Sequence, residues 1–546
     1  MSSSKNQKTG GKDADRKSRA AEVANTFEWL ITAFILAFLF RAFVMEAFRI
    51  PTGSMADTLK GKHFRLRCYQ CGYKYDYGLG NYGLARDTIP GRELERKSSR
   101  CPSCGHYQPT GGAMPIANGD RILVLKCIYQ FFEPNQWDVL VFKNPLDPSE
   151  NYIKRLVGRP GETVEIIDGD IYINGLISRK PPKVQNELWM PVYDNNYRPV
   201  RPEEPVFNRQ RWQQPFRNVG TSEWKTFETS PTEFHLNGAA EQTNTMVYDT
   251  SVANDFRATY AYDDVRGYAN MPYCSDLMVR FYARLGEGAS KREKDARSEL
   301  RPRGRIGIGL SKYQTNYKAW VDSTGEMVIT KVSASGESIL KRESNTEALT
   351  DRPTLVQFAD VDHQLVFQVG SRIMTYDLGR GPDDAGPRRT EIQPQVEVFG
   401  SGKLRLSHLA IFRDIHYTAE KYANSNNFGR ATEGKPFALG KDEFFVLGDN
   451  SPNSEDSRWW DKPGIGNNEL SYREGIVPRD YLVGKALFVY WPSGFEFSWP
   501  QSLKFFLLKN SRYNRLAAVA YWFVSWQWVP NIGQMRFIYG GSSKQQ

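Results

Sequence analysis

Three short stretches of this sequence carry side chains that could combine into one reaction centre. The first is Phe48-Arg49-Ile50-Pro51-Thr52-Gly53-Ser54-Met55-Ala56-Asp57-Thr58-Leu59, which holds a serine on a bend. Pro51 fixes φ and biases Ile50 toward extended backbone, while Gly53 admits geometry closed to other residues. The Ser54 hydroxyl and amide can then both face outward. Read alone, the run is also an ordinary turn. A serine nucleophile needs a base. The six histidines are His63, His106, His235, His363, His408 and His416. None lies in 119–175 or after 437, the two β-rich stretches that should complete a core around Ser54, which argues against a serine–histidine pair.

The second stretch, Tyr152-Ile153-Lys154-Arg155-Leu156-Val157-Gly158-Arg159-Pro160-Gly161, offers a lysine instead. Neighbours on a strand point to opposite faces, so Lys154 and Arg155 should part, one buried and the other in water. Lys154 acts as a base near neutral pH only if its pKa falls from about 10.4 by two or three units, and burial among Ile and Val side chains can lower it so far. The alternative is a surface Lys-Arg pair on an edge strand. The third stretch, Gly448-Asp449-Asn450-Ser451-Pro452-Asn453-Ser454-Glu455-Asp456-Ser457-Arg458, is a loop of small polar residues suited to fixing its neighbours by hydrogen bonds. Asp456 and Arg458 can form an ion pair, and Ser454 can hold an amine in place. Without partners the same loop is a solvated turn.

The rest of the chain has to bring these stretches together. Its 546 residues suffice for two or three domains, each with its own core. The excess of 72 basic over 62 acidic residues suits an anionic membrane surface or nucleic acid. The basic residues are widely spread and no nucleic-acid fold motif occurs, so the membrane is the expected partner and nucleic acid is not. Residues 1–26 form a polar, basic tail expected to be disordered. Residues 27–45 are apolar over about the length a helix needs to cross a bilayer, with Glu28 and Arg41 near the two ends. No small-residue cleavage site follows, so the segment reads as an uncleaved anchor rather than a signal peptide. The basic tail favours a cytoplasmic N-terminus, which leaves Ser54 just beyond the opposite face.

Four of the six cysteines form two tight pairs, Cys68-Tyr-Gln-Cys71-Gly and Cys101-Pro-Ser-Cys104-Gly. This is the ligand spacing of a structural four-cysteine zinc site; two disulfides or a chance repeat are the alternatives. Cys127 and Cys274 read as isolated buried thiols. From Gly119 to Gly175 short β-branched runs alternate with Gly, Pro and Asp, which predicts an antiparallel β unit. From Pro181 to Gly267 the chain is polar and Pro-rich, with no assignable period. Strand patterns return from Leu277 to Tyr417 and fit a β-sandwich whose order of strands loosely resembles laminin-G or concanavalin-like jelly rolls. The first β texture resumes at Phe444 and again at Tyr481. Leu516 to Val529 is apolar and aromatic but short for a membrane span, so it reads as a core element or a segment lying in the lipid interface.

Taken in order, Ile-Pro-Thr-Gly-Ser-Met after an anchor, Gly-Asp-Arg-Ile-Leu-Val, Tyr-Ile-Lys-Arg-Leu-Val-Gly-Arg-Pro-Gly-Glu and Gly-Asp-Asn-Ser-Pro-Asn-Ser-Glu-Asp-Ser-Arg resemble the signature boxes of bacterial type I signal peptidases. The resemblance covers about 200 residues, roughly 46–60, 115–180 and 437–500. It implies a membrane-anchored serine endopeptidase that removes signal peptides from exported preproteins without a catalytic cofactor. Ser54 would be the nucleophile and Lys154 the general base. The Ser54 amide and Thr52 hydroxyl would form the oxyanion hole, with Ser454 orienting the lysine and Asp456 with Arg458 bracing the site. The enzyme would sit in the bacterial cytoplasmic membrane with one span and its catalytic part outside. Substrate would add as a strand beside Phe48, Ile50 and Pro51 and beside Tyr152. Three departures from the family pattern stand out: Thr52 for the usual Ser, Asp57 for the usual Pro, and Ser451-Pro452 for the usual Arg and its neighbour.

The predicted fold is mainly β, an antiparallel catalytic core interrupted by insertions. Its parts are a tail (1–26), a transmembrane helix (27–45), core segments at 46–61, 109–180 and 437–500, a zinc-ribbon-like insertion (62–108), a β-sandwich-like insertion of unknown ligand (181–436) and a C-terminal aromatic segment (501–546). The rival reading is an anchored binding or scaffold protein built on the zinc module and the sandwich, with an inactive peptidase core.

Overall fold

The computed structural model describes residues 10–79, 97–110, 116–204, 207, 210–227, 229–263, 271–285, 304–333, 335–344, 349–420, 428–466, 471–494 and parts of 503–541. A helix runs Gly10–Leu39 and passes through a π turn, Phe40–Val44, into the strand Met45–Arg49. Helix therefore begins well before residue 27, and 10–26 are not a disordered tail. The reason is local: no Pro or Gly follows Gly11 in the helix, and Ala20, Ala21, Glu22 and Ala24 are strong helix formers. The stretch Glu22–Val44 is long and apolar enough to cross a membrane, and none of its apolar window is covered by the protein.

Eight strands build the sheet that carries the candidate chemistry. Their order is Met45–Arg49, Arg121–Leu125, Leu482–Trp491, Val139–Asn144, Asp147–Gly158, Glu443–Leu447 and Val477–Pro478, with Arg536–Phe537 added to Leu482–Trp491. All these pairings are antiparallel. The central strands are buried on both faces, with alternate residues packing on opposite sides. Val139, Val141 and Ile153 pack on one side with Ile50, Met55, Leu59, Ile122, Val124 and Ile538. Leu140, Phe142 and Leu156 pack on the other with Phe444, Val446 and Trp460. Arg536–Phe537 and Ile538 thus place the far end of the C-terminal segment in this core. The Leu516 to Val529 stretch falls largely outside the described residues. A smaller sheet, Leu176–Ile177, Asp170–Ile173, Thr163–Ile167 and Phe437–Ala438, adjoins the main one.

Between the second and third core segments the chain forms two facing sheets. One runs Lys225–Phe227, Ser230–Asn237, Lys403–Arg413, Leu277–Leu285, Thr354–Val361, Gln364–Val369 and Arg372–Asp377, with Met190–Asp194 also on Lys403–Arg413. The other runs Phe216–Asn218, Asn244–Tyr248, Gln395–Gly400, Arg305–Lys312, Thr315–Asp322, Glu326–Ser333 and Gly336–Ser344. Phe281, Phe358 and Phe367 from the first and Ile308, Val321 and Val398 from the second share one core, so this unit is a sandwich. The cysteine module is a small sheet, His63–Arg67, Lys74–Gly78 and Ile116–Ala117, beside the hairpin Lys97–Arg100 and Tyr107–Thr110.

Candidate active site

Asp120 fastens the serine loop at both ends. The Ile50 amide donates to Asp120 O at 2.8 Å, the Lys60 amide to Asp120 Oδ2 at 3.0 Å, and the Asp120 amide to Lys60 O at 2.8 Å. The loop is tight inside as well: Ala56 N–H reaches Gly53 O at 3.0 Å and Leu59 N–H reaches Met55 O at 2.7 Å, with Met55 and Leu59 as buried anchors. The polar loop after Glu443–Leu447 closes over it. Asn450 donates its amide to Ser54 O at 3.0 Å and its side chain to Gly53 O at 3.1 Å and to Asp263 Oδ1 at 2.9 Å. Gly448 permits this approach, because a Cβ there would stand 2.5 Å from Ser54 O and 2.2 Å from Ser454 Oγ.

Lys154 lies mid-strand in Asp147–Gly158, one hundred positions from Ser54, and its Nζ meets Ser54 Oγ at 2.8 Å. A second bond runs from Nζ to Ile153 O at 3.1 Å. Both side chains are buried, Lys154 at 4% and Ser54 at 8% exposure. Burial pushes the ammonium down to about 8, against the opposing pull of Asp456, Glu455 and Asp449. An amine at that value supplies an appreciable neutral fraction near neutral pH, which a general base requires. No histidine among the described residues bonds Ser54.

Arg155 departs from expectation. It does not stay in water opposite Lys154 but is wholly buried, with Nε on Asp449 Oδ1 at 2.8 Å and Nη2 on Asp449 Oδ2 at 2.7 Å. Its face of the strand is covered rather than open: Nη1 donates to Trp137 O at 3.0 Å and to Tyr539 O at 3.4 Å. Asp449 holds the guanidinium charged although burial opposes it. Asp456 and Arg458 form a second buried bidentate pair, at 2.9 and 2.7 Å. Asp456 Oδ2 accepts the Gly448 amide at 3.0 Å, and Arg458 Nη1 donates to Ser451 Oγ at 2.7 Å. Ser451, at the departure from the family pattern, therefore receives the arginine. Ser454 behaves otherwise than expected. Its Oγ is buried beside Gly448 without a hydrogen-bond partner among the described residues, because Lys154 Nζ is turned to Ser54 and Ile153 O.

The Thr52 hydroxyl and the Ser54 amide donate to no other described residue, so both can serve an oxyanion. Two sheet edges converge at the pair. Met45–Arg49 is an edge strand, and Phe48 is partly buried against the core. Tyr152 sits on the Lys154 face with its ring 5.4 Å from Nζ. Pairing of Asp147–Gly158 with Glu443–Leu447 starts only at Arg155, which leaves the Glu150 to Lys154 edge on that side without a strand. The Ile50 side chain is inside the core with Ile153, and Pro51 is exposed. Sequence reasoning missed Asp120, Asp449 and Asn450, although all three lie in the quoted boxes. It had no signal for Tyr262 and Asp263, the first of which packs its ring against Gly53 and Gly78. A cavity of about 1090 Å³ between the cysteine module and the sandwich is lined by neither Ser54 nor Lys154.

Cys68, Cys71, Cys101 and Cys104 come together as free thiols with ligand atoms within 4.8 Å of one another. Cys68 and Cys104 sulfurs stand 3.6 Å apart, as do those of Cys71 and Cys101. These separations exceed the roughly 2.05 Å of a disulfide and approach the ~3.8 Å edge of a tetrahedron with 2.3 Å bonds. The two turns are copies of each other: Gly72 donates to Cys68 O and Gly105 to Cys101 O, both at φ +76°.

The family described as signal peptidase, peptidase S26, matches residues 105–213 and 401–491, under half of the chain. A "Signal peptidase I" from Rickettsia canadensis (strain McKiel) is 33% identical over 149 residues, which is 27% of this chain and 42% of that protein. One from Rickettsia conorii (strain ATCC VR-613 / Malish 7) is 34% identical over the same shares. Over these stretches the chain is similar to signal peptidases. The matches span less than half the length of these Rickettsia proteins, and the family match begins beyond Ser54. A carbohydrate-binding module CBM66 from Bacillus subtilis aligns with 37% of this chain and 93% of its own at 9% identity and a TM-score of 0.21. A likeness of that size carries no argument about this chain.

Proposed function

We propose that this chain is a membrane-anchored serine endopeptidase that cleaves N-terminal signal peptides from exported preproteins with a Ser54/Lys154 dyad. The observation that carries this reading is the 2.8 Å contact between a buried lysine amine and a buried serine hydroxyl in a chain similar to signal peptidases. The neutral amine takes the Ser54 proton as Oγ bonds to the scissile carbonyl carbon, and the oxyanion takes hydrogen bonds from the Ser54 amide and the Thr52 hydroxyl. The protonated amine gives its proton to the departing amine, and the same base then activates water to hydrolyse the acyl-enzyme. Substrate lies extended between the Met45–Arg49 edge and the Glu150 to Lys154 edge, with Phe48, the Ile50 and Pro51 backbone and Tyr152 as walls that favour small residues before the cut. Asp449 with Arg155, and Asp456 with Arg458, hold the loop.

The apolar helix before Met45 keeps the site at the lipid boundary, with the basic N-terminus in the cytoplasm, one span, and the catalytic part on the outer side of the bacterial inner membrane. The full chain in detergent should cleave an Ala-x-Ala reporter, and Ser54→Ala should not. With the lysine near 8, kcat/KM should rise about tenfold from pH 7 to pH 9. Cleavage surviving Ser54→Ala, or a flat profile over that range, overturns the dyad.

The four cysteines hold structural zinc in this reading, since four sulfurs at tetrahedral spacing suit that ion. Metal analysis should return one zinc per chain, lost in Cys68→Ser together with the fold of the module. Full zinc content in that variant would remove the assignment.

A further inference from the structure

At one end of the sandwich, three neighbouring strands each present an aspartate. Asp276 directly precedes Leu277–Leu285, Asp414 directly follows Lys403–Arg413, and Leu277 pairs with Arg413. Asp362 occupies the tight turn between Thr354–Val361 and Gln364–Val369, and Leu277 also pairs with Asp360 on that side. Across from them stands Asp170, at the start of the small-sheet strand Asp170–Ile173 in the peptidase part. A ligand oxygen from each of the four lies within 4.8 Å of the others, and all four residues are buried.

Two lysines enter this cluster. Lys312 pairs with Asp276, while Lys180 pairs with Asp362 and, at 2.9 Å, with Asp414. With all four ionised, as ligands to a cation would be, the carboxylates outnumber the two ammoniums by two charges. Asp276, Asp362 and Asp414 also accept from the Asp362 amide at 2.8 Å, the Lys180 amide at 2.9 Å and Gln185 Nε2 at 2.7 Å. A carboxylate has about four acceptor sites, so each retains capacity. Asp170 differs: it is 8% exposed, and its carboxylate reaches the cluster but has no hydrogen-bond or ion-pair partner among the described residues. Asp360 lies against Lys312 and Asp276, fully buried, with both oxygens unpartnered. A buried polar group without a partner is costly, and an ionised one far more so.

We propose that Asp170, Asp276, Asp362 and Asp414 form a divalent-cation site, calcium in preference to magnesium, that ties the inserted sandwich to the peptidase part. One such ion balances the residual charge and supplies the partner Asp170 lacks. Calcium takes six to eight oxygens and is readily caged by carboxylates, whereas magnesium keeps several waters and is rarely held by an all-protein cage, so a buried set of four carboxylates suits calcium. The site is separate from the cysteines, whose soft sulfurs do not suit calcium.

The test uses the full chain in detergent, stripped with a chelator and then dialysed against calcium chloride alone. One calcium per chain should bind, with a rise in melting temperature, and Asp170→Asn should weaken binding at least tenfold while leaving zinc content unchanged. The Asp170 carboxylate bonds no described residue, so that variant should fold; if it does not, wild-type stoichiometry decides alone. The proposal fails if the stripped chain takes up no calcium at about 10 mM, well above even weak calcium sites. It also fails if infrared spectroscopy shows a protonated carboxyl that disappears in Asp170→Asn and persists in calcium.

Discussion

Lys154→Met is expected to abolish cleavage while making the protein more stable at neutral pH. The lysine is wholly buried and its pKa in the folded chain falls to about 8, whereas the unfolded chain keeps it near 10.5. Between those values the unfolded state binds more protons, so stability rises with pH across that window. Below about 8 the folded protein bears the full cost of confining the ammonium, about 3 to 4 kcal/mol; above 10.5 it bears none. Methionine fills similar volume with no charge. Denaturant unfolding should therefore show the variant ahead by that amount at pH 7, with the gap closing as pH approaches 10.5. A variant less stable than wild type at pH 7, or one that still cleaves the reporter, would show that the amine is neither strained by burial nor needed as a base.

The second large effect is structural. Asp449→Ala should cost about 3 to 5 kcal/mol, because it strands the buried Arg155 guanidinium without the one carboxylate that bonds it among the described residues; Glu187 acts on it only through space. Cleavage should fall with it, since Asp449 sits between Gly448 and Asn450, the two residues in contact with the Ser54 backbone. The double variant Asp449→Leu with Arg155→Met should regain most of the loss in stability, because the cost lies in breaking the pair rather than in lacking it. A single variant within 1 kcal/mol of wild type, judged from unfolding midpoints, would mean that water reaches the guanidinium.

The residues that meet at the serine were legible because each chemical group imposes a local requirement that shows in sequence. Pro51 and Gly53 mark the bend, the flanking Ile and Val mark the strand that buries Lys154, and Asp456 and Arg458 stand close enough to pair within one loop. Partners separated by long stretches of chain were not legible. Strand alternation says that Lys154 and Arg155 point apart, but not that a second layer covers the far face, so Arg155 was expected in water and is buried on Asp449. The sandwich showed a similar boundary. Leu277 to Tyr417 alternates clearly, whereas Phe216–Asn218, Lys225–Phe227 and Asn244–Tyr248 are short and interrupted by Pro, Trp and Asn, and gain their strand character from the neighbours they join. The aspartate cluster left no local trace at all, being assembled from turns and strand ends up to 244 positions apart.

The main sheet draws its strands from both ends of the chain, from Met45–Arg49 to Arg536–Phe537, and Arg155 reaches onward to the Tyr539 carbonyl. The serine therefore lies more than four hundred positions before Leu482–Trp491 and Arg536–Phe537, strands of the sheet it depends on. Without those later strands the core beneath the lysine strand would be incomplete, and the amine, open to water, would keep its ordinary charge. A chain lacking those strands should therefore lack the neutral amine on which the proposed dyad depends.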